Sequence, residues 1–200
     1  MSGEQERFEK VREENRKLKM DIVELCKRPD RTKPEVVLLL GKSGSGKSSM
    51  INTICRVISG KSFQRAVTGR GAAGSKTLTL QRFEQCGLKD FELTEENRDL
   101  FEHVLHMFPT LYDAAGREYM DMESDNCKEI IELLIGGYIP KGTSVQFLED
   151  KQREHGPGYL KVYFPESREE RKITKVVLVL DWQSSFPEAL AKYIMDIGSK

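Results

Sequence analysis

The chain alternates short apolar runs with long polar stretches, and this pattern predicts most of its secondary structure. Residues 36–40 and 173–182 are largely apolar and partly β-branched, so each predicts a buried strand. Apolar side chains at helical spacing predict helices over residues 48–58 and 123–135, and a final helix over residues 186–197. These five segments outline an alternation of strands and helices.

Two weaker strands are predicted between those elements. Residues 77–83 alternate enough to indicate a half-buried strand. Residues 104–112 predict another, which Pro109 places at a sheet edge or a bulge because proline cannot donate to the strand ladder. Residues 140–171 are polar and loop-rich, with a short strand over residues 160–164. The resulting order predicts an α/β fold, a mainly parallel sheet with helices on both faces.

Residues 1–34 are predicted to form a charged amphipathic helix and a linker, ahead of a single domain over residues 35–200. The helix is favoured because residues 4–28 contain neither Gly nor Pro. Its apolar residues recur in steps of three and four, with Asn15 in the one polar slot; they are Phe8, Val11, Leu18, Ile22 and Leu25. The pattern fits either a short coiled coil with a register-setting Asn or an amphipathic helix that leans on its own domain.

Composition and charge argue against several classes of protein. The 200 residues are enough for a domain with a real core, and Lys plus Arg balance Asp plus Glu at 32 each. No global charge therefore favours nucleic acid or an anionic membrane as a partner. The apolar runs are too short for a transmembrane helix, and the charged N-terminus is unlike a signal peptide. Widely spaced cysteines without a C-x-x-C pair predict reduced thiols in a cytoplasmic protein.

The glycine-rich stretch after the first strand is the most specific motif of the chain. Residues 41–48 fit the phosphate-binding pattern G-x-x-x-x-G-K-[ST] in full. Glycines let backbone N–H groups approach a polyphosphate, Lys47 supplies positive charge to the β- and γ-phosphates, and Ser48 supplies a ligand to Mg²⁺. We therefore predict a nucleoside triphosphate site formed by Gly41, Lys42, Ser43, Gly44, Ser45, Gly46, Lys47, Ser48 and Ser49.

An acidic motif would complete such a site, and the sequence offers two candidates. Residues 113–116 fit the D-x-x-G of Ras-like GTPases, in which the aspartate (here Asp113) reaches Mg²⁺ through water and the glycine amide (here Gly116) senses the γ-phosphate. Asp181 is the alternative, since an apolar strand closed by Asp is typical of ATP-using proteins with this loop. Thr77 is the best match by position for a first-switch Mg²⁺ ligand, and Thr68 is the next.

Five segments resemble the GTPase-like region of the interferon-induced protein 44 family: residues 36–49, 66–79, 111–116, 129–140 and 176–186. The resemblance implies that Asp113 is the Mg²⁺-side residue and that residues 176–181 form the strand after the second switch. It also implies a role in an antiviral or innate immune response. Two features depart from the Ras-like pattern. Arg117 stands where a water-orienting Gln is usual, and the chain has no N-K-x-D base-reading motif.

A Ras-like sheet would need two more strands and two helices after residue 200. The strand over residues 173–182 would otherwise be an apolar, unpaired edge, which natural proteins avoid. We therefore expect the 200 residues to be a truncated part of a longer domain, or a partner to cover this edge. A compact variant with its own edge solution is the remaining alternative.

The leading hypothesis is a Mg²⁺-dependent GTP-binding protein that works as a slow GTPase or switch. Its Mg²⁺ ligands would be Ser48, Thr77 and Asp113. Its groups that act on the phosphates would be Lys47, Thr77 and Gly116.

Two hypotheses from other classes stay open. One is an ATP-using enzyme with Asp181 as its acidic metal residue. The other is an interaction protein that binds nucleotide weakly or not at all. Such a protein would bind its partner through the N-terminal helix or an exposed sheet edge.

Overall fold

A computed structural model describes residues 3–59, 66, 80–84, 95, 98, 106–114, 125–183 and 185–198. Within them, the α-helices are α1 (Gly3–Lys27), α2 (Lys47–Ser59), α3 (Asp125–Ile135), α4 (Val145–His155), α5 (Tyr159–Tyr163) and α6 (Glu188–Gly198). The strands are β1 (Val36–Leu40), β2 (Gln81–Phe83), β3 (Thr110–Asp113) and β4 (Lys175–Leu178). A short 3₁₀ turn, Glu169–Arg171, precedes β4. The predicted α/β class is confirmed.

The described strands form one sheet in the order β2-β3-β1-β4. Strand β1 pairs in parallel with β3 on one side and with β4 on the other, and Leu39 lies opposite both Asp113 and Val177. Strand β2 is antiparallel to β3. The sheet is therefore mostly parallel, as predicted. Because β1, β3 and β4 run in the same direction, their carboxyl ends meet at one edge, which is where open α/β sheets bind ligands.

Side chains of β1 alternate between two buried clusters, one on each face of the sheet. Leu39 lies in a cluster with Ile51 and Cys55 of α2. Leu38 lies in the other cluster, with Leu133 of α3 and Leu148 and Leu160 of α4 and α5; this cluster also contains Val36 and Leu40. Full burial of each such side chain contributes about 1.5–3 kcal/mol. Helices thus cover both faces of the sheet and fix β1 at its centre.

Helix α1 is anchored to the domain near its C-terminal end. Val23 and Cys26 are buried in the same cluster as Leu39. Phe8 and Leu18, further towards the N-terminus, are 79% and 60% exposed. Within the described residues, the domain therefore buries the last turns of α1 and leaves the earlier apolar positions open.

The strand that contains Pro109 was wrongly placed. Strand β3 begins at Thr110, directly after the proline, and residues 106–108 form a turn and a bend. It is also an interior strand, since it pairs with β1 and with β2. Pro109 needs no place in the ladder because it precedes the strand, so the edge or bulge that the sequence suggested does not arise.

Residues 140–171 are more helical than predicted. Instead of a strand over residues 160–164, this region forms α4 and the short helix α5. Ser144 caps α4 by accepting a hydrogen bond from the Phe147 N–H. The buried side chains of α4, Leu148 and Gln152, are four residues apart, which is helical spacing. Each of these helices has only one or two buried residues, so the polar sequence shows no helical repeat of apolar positions.

The remaining elements match their predictions with different ends. Strand β1 has the predicted bounds, and α2, α3 and α6 differ by one to two residues at their ends. Strand β4 is shorter than the predicted residues 173–182 and is half-buried rather than buried. In the described chain it has β1 on one side and no strand on the other. Part of the predicted strand, residues 77–79, lies outside the described residues. So does most of the predicted acidic insertion over residues 84–103.

None of the described helices combines the length and the apolar character needed to cross a membrane.

A pair of substitutions in α5 tests its helical assignment. Leu160 is fully buried, whereas Val162 is 72% exposed. Leu160→Ala should lower the free energy of unfolding by about 2–5 kcal/mol, and Val162→Ala should change it by about 0.5 kcal/mol or less. Urea denaturation measures both values. A strand would place the two side chains on one face, so similar losses for both variants would contradict the helix.

Candidate functional site

The glycine-rich loop between β1 and α2 lies against the chain that follows β4. The Val179 N–H donates to the Leu40 carbonyl at 2.7 Å, which extends the pairing past the end of β4. A Cβ on Gly41 would lie 2.1 Å from the Val179 carbonyl oxygen, so no other residue fits at this position without moving the backbone. The sheet therefore sets where the loop begins.

The loop then turns into the N-terminus of α2. Gly46 has φ of +100°, a conformation that side chains with a Cβ rarely adopt. The Met50 N–H donates to the Gly46 carbonyl at 2.8 Å, which is a bond of the first helical turn. The backbone N–H groups before Met50 have no carbonyl four residues earlier in the helix, and they carry the positive end of its dipole. The turn thus presents donors and partial positive charge at the carboxyl edge of the sheet.

Lys47 is a buried cation inside this loop, 5% exposed. Its Nζ donates to the carbonyl oxygens of Gly41 and Lys42, both at 2.9 Å. Burial lowers the pKa of Lys47, and the nearby carboxylate of Asp113 partly opposes that shift. The ammonium group therefore lies over the loop, and its hydrogen bonds to the two carbonyl oxygens compensate for the loss of hydration on burial.

Asp113 is the last residue of β3 and is fully buried at the same edge. Ser48, in the first turn of α2, donates its hydroxyl to Asp113 Oδ2 at 2.5 Å. Asp113 Oδ1 is also buried and has no hydrogen-bond partner among the described residues. Burial raises the pKa of Asp113, while the Ser48 hydrogen bond and the Lys47 charge lower it in part. The carboxylate is held in place but incompletely satisfied.

The side chains of Ser48 and Asp113 are of the kind that fits a Mg²⁺ ion. Mg²⁺ takes oxygen ligands, usually one or two protein groups supplemented by water and substrate phosphate. A Ser hydroxyl beside a carboxylate supplies that kind of set, and the unpartnered Oδ1 is an acceptor that a water molecule on the ion would satisfy. In the described part of the chain no group of three or more His, Cys, Asp and Glu could hold a metal.

The structure brings some of the predicted site residues together and separates others. Ser48 is hydrogen-bonded to Asp113, and Lys47 lies close enough for its charge to lower the pKa of that carboxyl. Asp181 is exposed, and its Oδ1 accepts the Gln183 N–H at 2.9 Å. The other predicted residues in the described chain lie on the loop or in the first turn of α2: Gly41, Lys42, Ser43, Gly44, Ser45, Gly46 and Ser49. Thr68, Thr77, Gly116 and Arg117 lie outside the described residues.

Two contacts near the site were not predicted from the sequence. One is the contact between the Val179 backbone and Gly41. It depends on the order of the strands, for which the local sequence has no signal. The other joins Asn52 of α2 to Ala66, through hydrogen bonds of 2.8 Å to both the N–H and the carbonyl of Ala66. The sequence signal for this contact was a polar residue, Asn52, next to the buried Ile51 of α2. A half-buried amide side chain needs a hydrogen-bond partner.

No family model, no curated protein and no solved structure matches this chain.

The pH dependence of stability should report the buried carboxyl of Asp113. Its folded-state pKa is raised, so the folded protein holds this proton more tightly than the unfolded chain does. The free energy of unfolding should therefore fall as pH rises from the ordinary pKa of 3.8 through the raised value, and then level off. Asp113→Asn keeps an acceptor for Ser48 but has no proton to lose.

Thermal unfolding of both proteins across this pH range, with EDTA and without nucleotide, isolates the effect. We expect the wild type to lose stability relative to Asp113→Asn as pH rises. Parallel pH profiles, or a loss in the opposite direction, would show that burial does not dominate the energetics of this carboxyl.

Proposed function

We propose that this protein binds Mg²⁺ and a nucleoside triphosphate, with guanine as the base, and acts as a slow GTPase or switch. The observation that carries the proposal is the meeting of Lys47, Ser48 and Asp113 at the carboxyl edge of the sheet. The three come from two elements, α2 and β3, and the N-terminus of α2 would supply backbone N–H donors to a phosphate. The loop motif supports the same site.

The chemistry of such a site is positioning and electrostatic stabilisation. The loop amides and the α2 N-terminus would hold the phosphates, and the Lys47 ammonium would exchange its two loop carbonyls for phosphate oxygens. Ser48 and Asp113, which are hydrogen-bonded to each other, would hold the Mg²⁺ ion. A bound Mg²⁺ supplies the charge that neutralises the β- and γ-phosphates.

Guanine and slow turnover are supported by observations other than those for phosphate binding. Asp113 ends a strand beside β1, as the D-x-x-G assignment requires, whereas Asp181 is exposed. The resemblance to the interferon-induced protein 44 family supports guanine and is the source of the proposed role in innate immunity. In this proposal Thr77 is a further Mg²⁺ ligand and Gly116 contacts the γ-phosphate. Turnover is slow because Arg117 stands in place of a water-orienting Gln.

An interaction role is a second candidate, and the exposed apolar residues of α1 favour it. Phe8, Val11 and Leu18 are 79%, 48% and 60% exposed, and they follow the three- and four-residue steps of a helix-pairing face. This role is compatible with nucleotide binding, because α1 joins the domain at Val23 and Cys26, on the cluster that also contains α2. Binding of a protein partner that survives loss of Lys47 would separate the two roles.

The Lys47 side chain provides the most direct test of phosphate binding. Lys47→Ala should weaken Mg²⁺–GTP binding roughly ten- to one-hundred-fold, since hydrogen bonds to charged groups contribute about 1.5–3 kcal/mol each. The matched control is Lys42→Ala, because that side chain is exposed and only its backbone carbonyl contacts Lys47. Isothermal titration calorimetry of the three proteins measures the affinities. Equal weakening by both substitutions would indicate non-specific charge attraction instead of a phosphate site.

A second pair of variants separates the GTP and ATP hypotheses. Asp113→Ala should abolish the Mg²⁺ dependence of nucleotide binding, whereas Asp181→Ala should preserve it, because Asp113 is buried and accepts the Ser48 hydrogen bond while Asp181 is exposed. Labelled GTP and ATP are titrated against both variants and the wild type, with Mg²⁺ and with EDTA. Loss of the Mg²⁺ dependence in Asp181→Ala but not in Asp113→Ala, together with a clear preference of the wild type for ATP, would contradict the guanine proposal. It would support Asp181 as the acidic metal residue.

A further inference from the structure

Trp182, the single tryptophan of the chain, lies in the turn after β4 and is 90% exposed. Tryptophan side chains are highly buried on average, because their large rings gain most from leaving water. An indole left almost wholly in solvent therefore stands out among the described residues. Nothing in the packing of β4 requires an aromatic side chain at this position.

The chain that leads into the turn with Trp182 contacts the glycine-rich loop at Val179. The Val179 carbonyl oxygen would be 2.1 Å from a Cβ on Gly41, so the two backbones are in contact. Trp182 follows Val179 by three residues, which span at most about 10 Å. Its ring is therefore within a nucleotide's length of the phosphate loop.

The turn around Trp182 is held by a local hydrogen bond. Asp181 Oδ1 accepts the Gln183 N–H at 2.9 Å, the pairing of an Asx turn. This bond closes the backbone across Trp182 without using its side chain. The indole is thus presented by an ordered turn, so less conformational freedom is lost when a ligand covers it.

The geometry of the sheet gives the bound nucleotide a direction. In the proposed site, the metal and the terminal phosphate lie near Asp113, on the side of β1 that faces β3. The nucleoside lies at the other end of the molecule. The neighbour of the glycine-rich loop on the opposite side of β1 is the segment after β4, which contains Trp182.

We propose that the Trp182 indole stacks on the base of the bound nucleoside triphosphate and forms the base-binding surface of this site. The inference rests on the proposed function. Base-on-aromatic stacking is a sequence-tolerant contact, because every base has a π-face. It adds affinity for the nucleoside without selecting guanine, in a chain that has no N-K-x-D motif.

Because Trp182 is the only tryptophan, tryptophan fluorescence reports the surroundings of this one side chain. The full chain is titrated with Mg²⁺–GTP, Mg²⁺–ATP and Mg²⁺–tripolyphosphate, and calorimetry measures each affinity in parallel. We expect both nucleotides to quench tryptophan emission at saturation. Tripolyphosphate, which has phosphates but no base, should bind and leave the emission unchanged.

Three variants test whether the indole contributes affinity. Trp182→Leu should weaken GTP and ATP roughly ten-fold and leave tripolyphosphate unaffected, and Trp182→Phe should recover most of the loss because it restores a π-face. The matched control is Phe186→Leu, which removes another exposed aromatic ring from the same segment and should change no affinity.

The outcomes separate this inference from the function on which it rests. If nucleotides bind without quenching, if tripolyphosphate quenches equally, or if Trp182→Leu keeps full nucleotide affinity, the stacking inference is overturned while phosphate binding stands. If neither tripolyphosphate nor either nucleotide binds the wild type, the proposed function fails and the inference fails with it.

Discussion

The hydrogen bond from Ser48 to the buried carboxylate of Asp113 is the contact on which the site depends. It joins the first turn of α2 to the end of β3, two elements that are far apart in sequence, and it sets the charge of Asp113 beside the ammonium of Lys47. A carboxylate and an ammonium this deeply buried are costly to desolvate, and Asp113 Oδ1 has no partner among the described residues. Such an arrangement is expected at functional sites, where burial and charge are set for a ligand rather than for stability.

The sheet explains why these groups can meet. Strand β1 lies between β3 and β4, so the glycine-rich loop that leaves its carboxyl end has Asp113 on one side and the Val179 backbone on the other. Strand β1 packs against α2 on one face of the sheet and against α3 to α5 on the other. The order of the strands therefore fixes the position of the loop. Its glycines allow the close backbone approach at Gly41 and the positive φ at Gly46.

Elements with a strong local signal were predictable, and contacts that depend on tertiary order were not. The unbroken apolar run Val36–Leu40 predicts β1, and the helical periodicity after Lys47 predicts α2, each from the local sequence alone. Helix α5 was mistaken for a strand because Leu160 is its single buried residue, too little for a period to show. The close approach of the Val179 backbone to Gly41 could not be predicted, because it depends on β4 lying beside β1 in the sheet.

The most direct test is the thermal unfolding of the unmodified protein with Mg²⁺ alone, with GTP and EDTA, and with Mg²⁺ and GTP together. A ligand that binds only the folded state stabilises it by mass action, by about 2.7 kcal/mol at one hundred times its Kd. We expect the melting temperature to rise by several degrees only when metal and triphosphate are both present. An unchanged melting temperature with saturating Mg²⁺ and GTP would contradict it.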